Sequence, residues 1–237
     1  MMQTPDEEET IFRELQARST EEKRLILPRF FKTGRGEYGE GDRFLGVTVP
    51  QIRIVAKQHI GLPDNLWKRL ITSPWHEVRM CALLILVNRF AKSNDAEKEQ
   101  IYDFYLSHTS FINNWDLVDL SAPAIVGGYL ADKPREVLYE LACKPMLWDN
   151  RIALVSTLHF IRKDDLDDTF KLSLQLLSHP HDLMHKAVGW MLREAGKRNP
   201  DRLRLFLEQY HGAMSRTTLR YAIEKFSKEE RLLIMKL

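Results

Sequence analysis

At 237 residues, 44% of them hydrophobic and 29% charged, the chain is long enough for one sizeable domain with a real core. Its 35 basic residues barely outnumber its 33 acidic ones, so the net charge of +2 does not by itself announce a nucleic-acid partner. The apolar run Cys81 to Val87 falls far short of the ~20 residues that a membrane-spanning helix needs.

In chain order, the first signals are helical. Thr4 reads as an N-cap, Pro5 as a first helical position and Asp6 to Glu9 as an acidic first turn, after which Ile11, Phe12 and Leu15 share one face. This start lacks the basic region and apolar core of a secretory signal, which implies a cytoplasmic protein. A second helix follows Ser19-Thr20-Glu21-Glu22 and is expected to kink or end at Pro28. Residues 1–33 thus form N-terminal helices. Residues 34–47 open as a loop with four glycines, Gly34, Gly36, Gly39 and Gly41, which lacks the preceding strand and the Gly-Lys-Ser/Thr ending of a phosphate loop.

From Thr48-Val49-Pro50 to the end, residues 48–237, the pattern is helix after helix. Breaks fall near Leu62-Pro63, Ser73-Pro74, Ser93-Asn94, Asn113-Asn114, Lys133-Pro134, Lys144-Pro145, Asp164-Asp165, His179-Pro180, Asn199-Pro200 and Ser227. No stretch alternates as a strand, so the fold class is all-α. Cys81 and Cys143 both lie in apolar helical patterns, which predicts buried thiols in a reducing compartment.

A repeat underlies the helices. Arg79, Arg151, Lys186 and Arg220 each precede an alanine by one to three positions, with Trp115 midway between the first two; the steps from 79 to 115, 151, 186 and 220 are 36, 36, 35 and 34 residues. Two helices per unit at that period is the mark of a solenoid, whose recurring residue lines one concave surface. The basic residues cluster late: Lys186, Arg193, Lys197, Arg198, Arg202, Arg204, Arg216 and Arg220 follow an acid-rich N-terminus, although a solvated helix face is the plainer account of a charge run.

The chemistry is expected at Asn113-Asn114-Trp115-Asp116-Leu117-Val118-Asp119-Leu120. Here the asparagines cap a helix, and Trp115 and Asp119 stand four apart on one face. Asp116 complements the helix dipole in the first turn. Asp119 lies a turn deeper among apolar residues, where an ionised carboxylate calls for a cation. The eight histidines include no His-Glu-x-x-His, and there is no Cys-x-x-Cys and no nucleophile elbow; metal and covalent chemistry therefore have little support. A second face, Lys186 with Trp190 four residues on and Arg193 and Lys197 near, has the composition to bind a polyanion. Indoles attract cations and a carboxylate steadies developing positive charge. A purine alkylated at a ring nitrogen is such a cation; the plainer alternative is that both tryptophans are core and Asp119 bonds Arg151.

Asn114-Trp115-Asp116-Leu117-Val118-Asp119, Leu147-Trp148-Asp149-Asn150-Arg151-Ile152-Ala153 and Lys186-Ala187-Val188-Gly189-Trp190-Met191-Leu192-Arg193-Glu194, with Phe44-Leu45-Gly46-Val47 ahead of them, resemble the DNA alkylation repair glycosylases of the AlkD type, from about Phe30 to Tyr221. The resemblance implies a single domain, 1–237, built as a right-handed superhelical solenoid of tandem HEAT-like helical repeats with a concave basic groove for duplex DNA. It implies excision of cationic N3- and N7-alkylated purines without base flipping, metal or cofactor, by a monomer that joins the nucleoid when bound to DNA. Asp119 then matches the catalytic carboxylate, Trp115 and Trp190 the aromatics at the lesion's backbone, and Arg151 the arginine at its phosphates. Arg79, Lys186, Arg193, Lys197 and Arg220 are the expected DNA contacts.

The sequence departs from that pattern in two places. Asn114 stands where a first tryptophan of a pair is often found, and Phe30 where a tyrosine is expected. The alternative of another class is a non-catalytic HEAT-like module that binds branched or distorted DNA.

Overall fold

A computed structural model describes residues 7–236, and among these every regular element is helical, apart from one isolated bridge between Arg43 and Trp75. No helix among them is long and apolar enough to cross a membrane. The expected cap at Thr4 and start at Pro5 lie outside the described residues. The chain divides into two compact units, Met1–Ser121 and Ala122–Leu237.

The first unit carries α1 (Glu7–Gln16), α2 (Glu21–Phe30), α3 (Val49–Gln58), α4 (Asp64–Ile71), α5 (His76–Phe90), α6 (Asp95–Ser107) and the start of α7 (Trp115–Ala122). Its centre is α5. The apolar run that excluded a membrane span is buried nearly all round it, with α1, α3, α4 and α6 packed against it. Ile11 and Leu15 of α1 are fully buried, as their shared face predicts, and Asn94 and Glu97 close a reciprocal capping box at the start of α6. Helix α2 differs: Thr20 caps it and it runs two residues past Pro28, yet it buries none of its residues, leaving Leu25, Ile26 and Phe30 exposed.

The glycine-rich stretch after α2 is a run of turns with internal anchors. The Gly34 amide donates to Glu37 and the Gly36 amide to Glu40. Phe44-Leu45-Gly46-Val47 is held by a side chain thirty residues on. The buried Glu77 carboxylate accepts from the amides of Leu45, Gly46 and Val47 at 2.9, 2.8 and 3.1 Å. Gly46 has φ +92, and a Cβ there would stand 2.7 Å from both the Arg24 nitrogen and the Thr20 oxygen, so only glycine permits this approach to α2.

The second unit opens with a π-helical turn, Pro123–Gly127, and continues through α8 (Glu136–Cys143), α9 (Leu147–Ser156), α10 (Leu158–Ile161), α11 (Asp167–Gln175), α12 (Asp182–Arg198), α13 (Pro200–Tyr210), α14 (Arg216–Ala222) and α15 (Lys228–Ile234). Here α12 is central, with α9, α11, α13 and α14 against it. Gly189 explains the closest crossing: a Cβ on it would lie 2.6 Å from the Thr218 carbonyl oxygen and nearer still to Tyr221, so α12 and α14 meet backbone to backbone. The alanines that marked the repeat, Ala82, Ala153, Ala187 and Ala222, are all buried at helix contacts, consistent with tandem helical repeats.

One expectation fails. Cys81 is buried, which pushes its thiol up to about 12, but Cys143 is exposed at the last turn of α8, accepting from Gln175 at 3.2 Å. An apolar helix pattern does not fix burial at a helix end.

Candidate active site

The two asparagines before α7 do different work. Asn114 is fully buried, and its Oδ1 accepts from the Trp115 amide at 2.9 Å. Asn113 does not cap; it accepts from Arg79 Nη2 at 3.0 Å and donates to Asp42 Oδ1 at 3.0 Å. Asp116 was expected merely to complement the helix dipole. Its Oδ1 does accept from the Leu117 amide, but Oδ2 lies 2.8 Å from His76 Nε2.

Past this cap, Leu117 and Val118 turn inward at zero exposure, which phases the helix so that Trp115, Asp116, Asp119 and Leu120 line one side of an open cavity of about 620 Å³. Lys23 and the last turn of α2 with Phe31, then Phe44, Val47 and Thr48, Val49 and Ile52 of α3, and His76, Glu77 and Met80 of α5 complete it. The wall is largely apolar, and part of it is an aromatic cluster. Phe31 stacks on Trp115 at 5.5 Å and 25° and on Phe44 at 5.1 Å and 11°, while Phe30 meets Trp115 edge-on at 6.0 Å. Phe30 is 58% exposed, so the position where a tyrosine was expected does face the cavity; Asn114, the other departure, lies in the core away from it.

Behind the aromatic wall is a cluster of charge that sequence reasoning missed. His76, 1% exposed, has Nδ1 3.1 Å from Asp42 Oδ2 as well as Nε2 on Asp116. Arg79 donates to Asp42 Oδ1 and to the Ser73 carbonyl, each at 2.8 Å. Burial works to lower the His76 pKa, but the charge and hydrogen bond of Asp116 and the bond to Asp42 outweigh it and raise it to about 9. Burial works to raise Asp42, and the His76 hydrogen bond and the charges of Arg79 and His76 bring it below its usual value. Arg79, expected among the DNA contacts, is therefore placed otherwise: it is 3% exposed and its guanidinium is committed inside the unit. A repeat position alone does not distinguish an outward arginine from one neutralising a buried acid.

In the second unit, Trp190 is half-buried and lines a cavity of about 380 Å³ with Arg162, Glu194, Lys197 and Arg198. Lys197 pairs with Glu194 at 2.7 Å, and Arg193 with Glu194 at 3.2 Å and with Glu224. Lys186 pairs with Asp182 at 2.8 Å, and that bond outdoes burial in lowering the Asp182 pKa. Arg220 is exposed. Arg151 is 5% exposed, and its Nη1 donates to the Leu183 carbonyl at 2.7 Å in the first turn of α12. Its neighbour Asn150 closes the turn after α8, donating to the carbonyls of Leu141, Ala142 and Lys144. No group of three metal-ligating side chains occurs among the described residues.

The family model for the DNA alkylation repair enzyme matches residues 11–226. This chain belongs to that family. Membership makes it an enzyme of alkylation repair with DNA as its partner. A solved structure of a predicted DNA alkylation repair enzyme from Enterococcus faecalis has a similar fold, with a TM-score of 0.67 over 89% of this chain and 98% of that one, at 18% identity. No curated protein matches the chain. In this chain Phe30, Phe31, Phe44 and Trp115 line the cavity, and Asp119 lines it from the same helix face as the indole.

Proposed function

We propose that the protein is a DNA glycosylase that releases cationic N3- and N7-alkylated purines from duplex DNA without a metal or cofactor. The observation that carries this reading is the placement of Asp119 one turn after Trp115 on the wall of an open, mainly apolar cavity that several aromatic rings share. Aromatic faces attract a cation, and a carboxylate in an apolar setting interacts strongly with positive charge that develops beside it.

In the reaction, the C1′–N bond breaks heterolytically and its electron pair goes to the base, which leaves neutral. Its positive charge passes to the sugar as an oxocarbenium. Asp119 steadies that charge and orients the water that adds to C1′, whose proton the carboxylate accepts. An alkylated base needs no protonation to leave, so a single carboxylate is enough. Trp115 and Phe30 flank the sugar and backbone, and Lys186, Lys197 and Arg220, with Trp190, hold phosphates of the duplex, leaving the damaged base stacked. Arg151, its guanidinium on the Leu183 carbonyl, fixes the first turn of α12 and is the arginine assigned to a DNA phosphate.

The test is release of 7-methylguanine from a defined duplex, with a chelator present and Asp119→Asn alongside. Release by the parent, unaffected by chelation and lowered at least ~100-fold in Asp119→Asn, is the expected result. Equal release by both would sink the assignment of Asp119, and salt-sensitive binding without any release would favour a non-catalytic DNA-binding module.

A further inference from the structure

His76 opens α5 with both ring nitrogens facing carboxylates: Nδ1 on Asp42 at the end of the glycine-rich stretch, Nε2 on Asp116 in the first turn of α7. A ring with an acceptor on each nitrogen carries both protons and is a cation. Its surroundings are closed and specific. Arg79 and Asn113 take the other oxygen of Asp42, and the face of the ring stacks on Phe44 at 4.7 Å and 24° and lies 5.0 Å from Phe31.

Two paths therefore lead from this one buried cation to Trp115. The polar path runs through Asp116, the next residue in the chain. The aromatic path runs through Phe31, stacked on Trp115 itself. Neither is needed to form α7, which Leu117 and Val118 already bury. A buried ion pair adds little net stability over an apolar replacement, but its geometry fixes direction.

We infer that His76 is a positioning residue of the active site: it clamps the glycine-rich stretch to the first turn of α7, holding Trp115, and Asp119 one turn on, in their reactive orientation. The catalytic half of this inference rests on the glycosylase reading; the hold on Trp115 does not.

His76→Gln removes the charge, and Asp116→Asn weakens the other end of the same bond. The full chain is labelled with 5-fluorotryptophan, the Trp115 resonance is assigned with Trp115→Phe, and single-turnover release of 7-methylguanine and duplex affinity are measured beside the spectra. Each variant is expected to release the base about 10–100-fold more slowly while duplex affinity stays close to the parent's, as for a small misplacement of reacting groups. The double variant should be no slower than the slower single, because both act on one link. In the parent the Trp115 resonance should titrate near pH 9, and in His76→Gln that titration should vanish while the Trp67, Trp148 and Trp190 resonances keep their positions.

Release at the parent rate with an unmoved Trp115 resonance overturns the inference. So does a general shift of all the tryptophan resonances with a rate loss matched by lost folding, which would make His76 merely structural. If the parent binds duplex but releases nothing, the glycosylase reading falls, and the Trp115 resonance alone decides this one: moved by His76→Gln supports it, unmoved overturns it.

Discussion

Glu77 shows how a residue's importance can hide from sequence. It lies beside a lone histidine in an acidic first turn, where any glutamate is at home, yet its carboxylate holds three amides of the Phe44–Val47 segment. Replacing it with glutamine removes the charge from these bonds and leaves an amide hydrogen pair pointing at N–H groups; a loss of about 2 kcal/mol is expected in urea unfolding. Gly46→Ala strains the same place from the other side, since φ +92 and the 2.7 Å approach to Thr20 and Arg24 both reject a Cβ, and it should unfold at a lower urea concentration. Resemblance singled out Phe44-Leu45-Gly46-Val47 as a motif without a reason. The reason is a partner at position 77, which no local pattern encodes. Trp115 and Asp119, by contrast, were legible as a pair because one helix carries both, and helical spacing fixes which residues share a face.

The helices themselves were legible nearly throughout, because caps and prolines are local signals: Asn94, Asn199 and Ser227 each accept from the backbone of the turn they begin. Where local signals fade, the reading slipped. Pro28, expected to kink or end α2, stands two residues before its end, whereas Cys143 emerged at the surface because the last turn of a helix need not follow its apolar stripe. The crossing of α12 and α14 is the element-scale feature most open to test. Gly189→Ala puts a methyl group against Thr218 and Tyr221, and the helices must part; destabilisation of ~1–3 kcal/mol is expected, with earlier hydrogen exchange in both helices. An unchanged midpoint would mean that the crossing yields without cost. The same substitution leaves Trp190 and Lys186 chemically intact, so it separates the packing share of the Lys186–Glu194 motif from its binding share.

At the scale of the whole chain, the family was legible because three motifs recur in order, each tied to a helix that the repeat had already spaced. The buried charge cluster was not, because its members come from positions 42, 76, 79, 113 and 116 and only folding brings them together. Its effect on stability follows from its sign. His76 has a pKa of about 9 in the folded chain against an ordinary 6.5, so its stabilisation is complete below about pH 6.5 and is lost as pH rises through 9. Asp42, lowered in the fold, acts in the opposite sense: its contribution is present above the ordinary carboxylate range and lost as pH falls. The melting temperature of the parent should fall by on the order of 5 °C between pH 6.5 and 9.5, and His76→Gln should flatten that slope. Duplex binding is a separate whole-molecule property. If Arg220 contacts a phosphate, Arg220→Ala should weaken binding alike on all sequences and reduce the slope of log affinity against log salt by about 1.

The three amides gathered by Glu77 form the kind of concave nest that elsewhere receives a phosphate from solution. Here the anion is tethered to the chain's own central helix, so the nest is filled the moment the protein folds. Two consequences follow for Phe44 and Val47, which line the cavity on either side of it. No inorganic phosphate can compete for these amides, and no ordering remains to be done when DNA arrives, so this wall adds nothing to the entropic cost of association. The Leu45, Gly46 and Val47 amides should accordingly exchange with solvent deuterium as slowly in the DNA-free protein as in the complex.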